Sequence, residues 1–303
     1  VYVDGVFSGG GVKAFAYLGA LEVLEENQIE FKRLAGTSAG ALVAALVTAG
    51  YTANELEHIF QDLHPKELLD ESPWFKKVPF LKWLNIYFRM GIYRGDKLEE
   101  WLTELLWKKG IHTFADIEED QLHIIGTDLT NGRITVFPND LHNYYGIDPT
   151  TFPVARAVRI SVSIPYFFQP VILPTKSRYR SVLVDGGVLS NFPYWIFKPE
   201  ENQSSERPVL GVKLSSSDAY IDKAIPARTI DNALNMLDGL FQTLIRAHDA
   251  RYISNEDAKN IIFIPIDQVN ATDFHLDEDE KNYLLNLGRS KAKAFLKKRG
   301  YLE

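Results

Sequence analysis

The sequence predicts a three-layer α/β/α fold around a largely parallel central sheet. Three observations lead there. Short β-branched or aromatic runs alternate with segments of helical period, an order that sets strands side by side with helices packed on them. Two strand-to-helix junctions, at 8–11 and 36–40, are glycine-rich tight turns. No repeat, low-complexity tract or linker divides the 303 residues, so one domain over 1–303 is expected.

The first strand covers residues 1–7, where Val1, Val3, Val6 and Phe7 supply β-branched and aromatic character. It runs into Ser8-Gly9-Gly10-Gly11, and helical spacing follows over 12–26. Three glycines between a strand and a helix form an anion cradle, because successive N–H groups can converge where no side chain blocks them. Gly9-Gly10-Gly11-Val12-Lys13-Ala14 also fits a dinucleotide fingerprint, but the second strand ends at Ala35-Gly36-Thr37 without the acid that would hold a ribose. A phosphate-binding P-loop is excluded, since no Gly-Lys-Ser/Thr follows. An oxyanion hole is the third reading.

Residues 31–35 form the second strand and 41–49 a small-residue helix. Between them, Gly36-Thr37-Ser38-Ala39-Gly40 is G-x-S-x-G, a nucleophile elbow with Ser38 at its apex, or else a plain buried turn. Gly36 and Gly40 suit a bend too sharp for a Cβ. If the first two strands are parallel neighbours, Ser38 and the glycine cradle share one sheet edge, where open α/β sheets place their ligands.

A helix follows at 54–63. Residues 73–95 then interleave Trp74, Phe75, Phe80, Trp83, Tyr87, Phe88 and Tyr93 with Lys76, Lys77, Lys82, Arg89 and Arg94, without one acid. That suits a lid-like insertion over about 64–95 touching substrate or an anionic membrane surface, or a packed subdomain with solvated lysines. Asp96 is the expected N-cap of an amphipathic helix bearing Leu98, Leu102, Leu105 and Leu106. Strands at 122–127 and 134–137 bracket the Asn131-Gly132 hairpin signal, with Asp128 as a turn-former. A short helix at 154–162 stops at Ile164-Pro165, followed by Tyr166-Phe167-Phe168. A strand at 182–184 leads into Asp185-Gly186-Gly187. Beyond a polar break at 200–207, strands are expected at 209–214 and 261–266, and helices at 229–252 and 277–298.

Composition narrows the function classes. Hydrophobic content of 46% with 24% charged residues allows a sizeable core. A net charge of −7 argues against nucleic acid as a partner. The absence of cysteine excludes disulfides, thiolate zinc sites and cysteine nucleophiles. No run reaches membrane-spanning length and no signal peptide is evident, so a cytoplasmic or peripherally membrane-associated protein is expected. The chain begins at Val1, not Met, which leaves an upstream segment and export open.

The run from Ser8 through Lys13-Ala14-Phe15-Ala16-Tyr17-Leu18-Gly19-Ala20-Leu21, with the elbow and the later Asp185-Gly186-Gly187, resembles the patatin-like phospholipases. Lys13 stands where that family often has Arg, keeping the charge without the planar fork. The resemblance implies a lipid acyl hydrolase with a Ser38–Asp185 dyad, an oxyanion hole at Gly9, Gly10 and Gly11, and neither metal nor cofactor. It also implies that Phe167 and Phe168 flank the acyl cleft, although plain core explains them equally well. Its substrates would be phospholipids or other fatty-acyl esters. A Ser–His–Asp triad using His248 or His275, and a non-catalytic lipid-binding protein on the same fold, are the alternatives.

Overall fold

A computed structural model of the chain describes residues 1–63, 65–70, 86–176, 179–198, 207–215, 256–266 and 276–300, with isolated positions between 230 and 269. The strands are β1 (Tyr2–Phe7), β2 (Glu30–Thr37), β3 (Gly91–Tyr93), β4 (Leu122–Asp128), β5 (Arg133–Phe137), β6 (Tyr166–Phe168), β7 (Val171–Leu173), β8 (Ser181–Asp185), β9 (Val209–Ser215) and β10 (Ile261–Pro265). The helices are α1 (Phe15–Glu26), α2 (Ala39–Thr48), α3 (Ala53–Asp62), α4 (Asp96–Lys108), α5 (Val154–Ser161) and α6 (Glu278–Lys298). Most of the expected helix at 229–252, with His248, lies outside the described residues, as do His275, Trp74, Lys76, Lys77 and most of the polar break.

The main sheet has the order β10-β9-β1-β2-β4-β8-β7, with β5 on β4. Its first five strands are parallel, as the βα alternation predicts. The other three join by antiparallel pairs: β5 and β8 on β4, and β7 on β8. Short connections explain two of these pairs, β4–β5 and β7–β8, since a tight turn returns a chain antiparallel whereas a parallel neighbour needs a long crossover; β8 reaches β4 only after the long excursion through α5. Strands β3 and β6 form a separate parallel pair.

Register along β4 decides where the chemistry can sit. Its Leu122–Ile125 half pairs with β2, ending at Thr37↔Ile125. Its Gly126–Asp128 half pairs with β8, starting at Gly126↔Asp185. Strand β5 pairs across both halves and occupies the other edge. Strands β2 and β8 therefore share one edge of β4 and approach it from opposite directions. Their C-terminal ends meet between Ile125 and Gly126.

One face of the sheet buries Val3, Phe7 and Leu34 with the apolar faces of α1, α2 and α5. The other face buries Val6, Ala35, Val209 and Ile261 under Phe192, Tyr194 and Phe197. Helix α2 is buried from Ala39 to Leu46, which accounts for its composition of Ala, Val, Leu and Gly. Helices α1 and α6 cross where both are glycine. A methyl on Gly19 would lie 2.0 Å from the Leu285 carbonyl oxygen, and one on Gly288 2.0 Å from that of Ala16. Arg289 ties the crossing further, to Glu22 and Glu57.

Several helix starts differ from expectation. The first helix begins with a 3-10 turn over Gly11–Ala14, and α1 proper starts at Phe15. Helix α3 carries a Thr52/Glu55 capping box. Asp96 is not an N-cap: Gly95 holds that place, and Asp96 pairs with Arg94. The cap comes from a distant residue, Asp70, which accepts from the N–H groups of Asp96 and Lys97. Asp128 does turn the chain, accepting from Asn131 N–H at 3.1 Å. It is also fully buried and receives Ser181 and Tyr145 hydroxyls at 2.8 and 3.0 Å. Among the described residues no helix is long and apolar enough to cross a membrane.

Candidate active site

Ser38 follows the last residue of β2, and Asp185 is the last residue of β8. The two strand ends meet on β4, so residues 147 positions apart in sequence come into contact. The Ser38 hydroxyl donates to Asp185 Oδ2 at 2.7 Å. Both side chains are buried.

The elbow is strained. Ser38 has φ 53° and ψ −123°, a positive φ that L residues rarely adopt. Both flanking glycines are required by backbone approach. A methyl on Gly36 would lie 2.4 Å from the Gly40 carbonyl oxygen, and one on Gly40 2.4 Å from that of Phe7. The Ser38 carbonyl opens α2 by accepting from Ala41 and Leu42 N–H. Its own N–H donates to Ser161 Oγ at 2.8 Å, and that hydroxyl donates to the Ile125 carbonyl at 2.5 Å. Ser161 comes from α5. The sequence did not reveal this bond.

Asp185 Oδ1 accepts from the Gly187 N–H at 2.7 Å. Burial pushes the Asp185 carboxyl up to about 7, against the opposing pull of the Ser38 and Gly187 hydrogen bonds. Its backbone N–H donates to the Ser163 carbonyl at 2.9 Å. The turn after it also holds the elbow, because Thr37 Oγ1 donates to the Ser190 carbonyl at 2.8 Å.

The glycine cradle lies beside Ser38: a methyl on Gly9 would sit 3.2 Å from Ser38 Cβ and 2.3 Å from Asn191 Oδ1. The Gly9 N–H donates to the Asn191 carbonyl at 2.9 Å, so it is already engaged. Those of Gly10 and Gly11 have no acceptor among the described residues. Gly11 has φ 57°. The cradle is braced from below by Tyr17 of α1, whose hydroxyl bonds both the carbonyl and the hydroxyl of Ser8. Lys13 donates to the Ile266 carbonyl at 2.9 Å. This link between the cradle turn and the end of β10 was not foreseen.

An apolar cavity of about 100 Å³ opens at Ser38 and is lined by Phe15, Leu42, Phe60, Leu98, Ile164 and Phe168, among others. Phe168 is one of its walls. Phe167 is not among the lining residues: its ring packs on Tyr93 and on Phe168, each 4.9 Å between centroids. Of the basic, aromatic insertion, the described end leaves Tyr87 and Phe88 exposed.

Over 301 residues the chain is 48% identical to an uncharacterized protein, YqhO, of Bacillus subtilis (strain 168), a match covering 99% of this chain and 100% of that one. It is 26% identical over 195 residues to a cUMP-AMP-activated phospholipase of Escherichia coli, covering 61% of this chain and 54% of that protein. Among solved structures it resembles VipD from Legionella pneumophila with a TM-score of 0.56 at 16% identity, covering 98% of this chain and 67% of that one. It resembles the ExoU–SpcU complex of Pseudomonas aeruginosa with a TM-score of 0.55 at 20% identity, covering 98% and 52%. At such identities the structural likeness concerns the fold. The patatin-like phospholipase family matches residues 5–198, which include the cradle, the elbow and the Asp-Gly-Gly turn. By that match, which takes in well over half of its length, the chain belongs to the patatin-like phospholipase family.

Proposed function

We propose that the protein is a lipid acyl hydrolase that cleaves carboxylic esters through an acyl-enzyme on Ser38, with Asp185 as general base. The observation that carries this reading is the 2.7 Å bond from the Ser38 hydroxyl to a desolvated carboxylate, at the mouth of an apolar cavity. A serine hydroxyl needs a base to take its proton as it attacks, and an ordinary carboxylate is too weak for that task at neutral pH. Raised to about 7, Asp185 matches it.

Ser38 Oγ attacks the ester carbonyl while its proton passes to Asp185 Oδ2. The N–H groups of Gly10 and Gly11 stabilise the tetrahedral oxyanion, each such donor being worth about 100-fold or more in turnover. Collapse breaks the bond to the leaving alkoxide, which takes the proton from Asp185. Water then gives a proton to Asp185, attacks the acyl-enzyme and releases the carboxylic acid, and the proton returns to Ser38. Because Asp185 receives the serine hydroxyl directly, the site has no need of a histidine between them. The apolar cavity supports a fatty-acyl substrate such as a phospholipid. The exposed Tyr87 and Phe88 support contact with a lipid surface.

A fluorophosphonate probe should label Ser38 in the wild type and not in Ser38→Ala. The wild type should also release fatty acid from at least one lipid class that Ser38→Ala leaves intact. Well-folded wild-type protein that neither labels nor hydrolyses would refute the reading.

A further inference from the structure

Arg159, on α5, is 3% exposed, and among the described residues no carboxylate lies within ion-pair distance of it. A buried cation without a directly paired counter-charge is costly, and the more distant Glu99, Asp96 and Asp70 offset only part of that cost. Burial lowers its guanidinium to about 10, still protonated at neutral pH. Its donors go instead to oxygens of separate chain segments. Nε donates to the Gly95 carbonyl at 3.0 Å, and Nη2 donates to the Gln169 carbonyl at 2.9 Å and to that of Arg94. Nη1 donates to Ser163 Oγ, which returns a bond to the Arg159 carbonyl at 2.7 Å. The guanidinium carbon also lies 5.2 Å from the ring of Phe168, a wall of the cavity.

These contacts join three parts of the site. Arg94 and Gly95 are the exit of the 64–95 segment into α4. Gln169 connects β6 to β7. Ser163 holds the Asp185 N–H, and two residues earlier Ser161 holds the Ser38 N–H. Gly95 is shaped to this arrangement: it has φ 77°, and a methyl there would lie 2.2 Å from Arg159 Nε. Only a guanidinium offers five donors in a plane, so lysine cannot reproduce the set.

We propose that Arg159 is a positioning residue for the Ser38–Asp185 pair, fastening the 94–95 stem and the β6–β7 connection onto the Ser163 turn, whose carbonyl accepts from the Asp185 N–H. This rests on the reading of Ser38 and Asp185 as nucleophile and base. It adds that the geometry of the base depends on a cation that touches neither substrate nor dyad.

The test uses the full chain with Arg159→Lys and Arg159→Met. A soluble 4-nitrophenyl butyrate assay across pH gives kcat and KM, and fluorophosphonate gives the labelling rate at Ser38. Arg159→Lys should lose about 10- to 100-fold in kcat and in labelling rate, the range expected for a misplaced catalytic group. Its KM should change less than about threefold, and Arg159→Met should lose more. The pH midpoint of kcat should move below that of the wild type, because water reaching a loosened Asp185 turn relieves the burial that raises it. If Arg159→Lys does not fold, Gly95→Ala pushes on the same guanidinium from the other side and should give the same kcat loss and pH shift. Wild-type kcat and pH midpoint in folded variants would overturn the proposal even with lowered urea midpoints, since the residue would then serve stability alone. Absence of labelling and turnover in the wild type would overturn the dyad reading, and this proposal with it.

Discussion

Replacing Asp185 by Asn removes the proposed base and should at the same time change how stability depends on pH. The carboxyl titrates at about 7 in the folded chain against an ordinary 3.8. At about 1.4 kcal/mol per pH unit, that difference is worth about 4 kcal/mol. Between these two values the folded protein keeps a proton that the unfolded chain has released. The contribution of Asp185 to stability is therefore fully present below about pH 4 and is lost as pH rises to about 7. Asparagine does not titrate and loses nothing over that window. Urea unfolding of both proteins from pH 4.5 to 8.5 should show the stability of Asp185→Asn gaining on the wild type as pH rises, most of the way to about 4 kcal/mol in total, then levelling above 7. Placing the amide shifts the whole difference by a constant and leaves its slope untouched. Hydrolysis should fall by at least about 100-fold in the same variant. A stability difference that is flat across pH, or that falls, would refute the desolvated-carboxylate argument. Ser38→Ala makes the argument stricter: it removes a hydrogen bond that holds the carboxyl down, so its window should extend above 7.

In the wild type, kcat/KM should rise with pH through a midpoint near 7, since only the ionised carboxylate accepts the serine proton; a profile unchanged from pH 5 to 9 would exclude Asp185 as the base. Ser161→Ala strands the Ser38 N–H and takes a donor from the Ile125 carbonyl, and should cost about 1–3 kcal/mol in urea unfolding while slowing fluorophosphonate labelling. Gly288→Ala drives a methyl into the Ala16 carbonyl and must part α1 from α6, lowering stability by about 1–3 kcal/mol or more in the same assay. Leu42→Trp fills part of the cavity, so the ratio of kcat/KM for 4-nitrophenyl decanoate over acetate should drop well below that of the wild type.

Much of the site is legible because its demands are local. The elbow needs glycine at 36 and 40 because backbone atoms of Gly40 and Phe7 stand 2.4 Å from where a Cβ would go. A steric exclusion of that kind leaves a visible mark on the sequence. Gly186 is marked in the same way, since a methyl there would lie 2.3 Å from the Ile125 carbonyl oxygen, whereas in the cradle Gly9 and Gly10 face the side chains of Asn191 and Leu214 and Gly11 has φ 57°. Other features leave no such mark. Nothing around Gly9 shows that its N–H is taken by Asn191, far along the chain. Phe167 and Phe168 read equally as core or cleft, and only the packing of the fold puts Phe168 on the cavity wall and leaves Phe167 beside it against Tyr93. Asp70 caps α4 from outside any local window, which is why Asp96 looks like the cap.

By itself, then, the sequence determined the alternating strands and helices, the two glycine turns and the residue types that carry the chemistry. These follow from short-range sterics and from hydrophobic period. The tertiary structure decided that β8 runs against β4 and meets β2 end to end, so that Ser38 and Asp185 touch. It also decided that Asp185 is dry enough to titrate near 7 and that a buried Arg159 gathers three segments behind it. Strand pairing, desolvation and multi-segment hydrogen bonding depend on which distant residues become neighbours, and no local pattern encodes that choice.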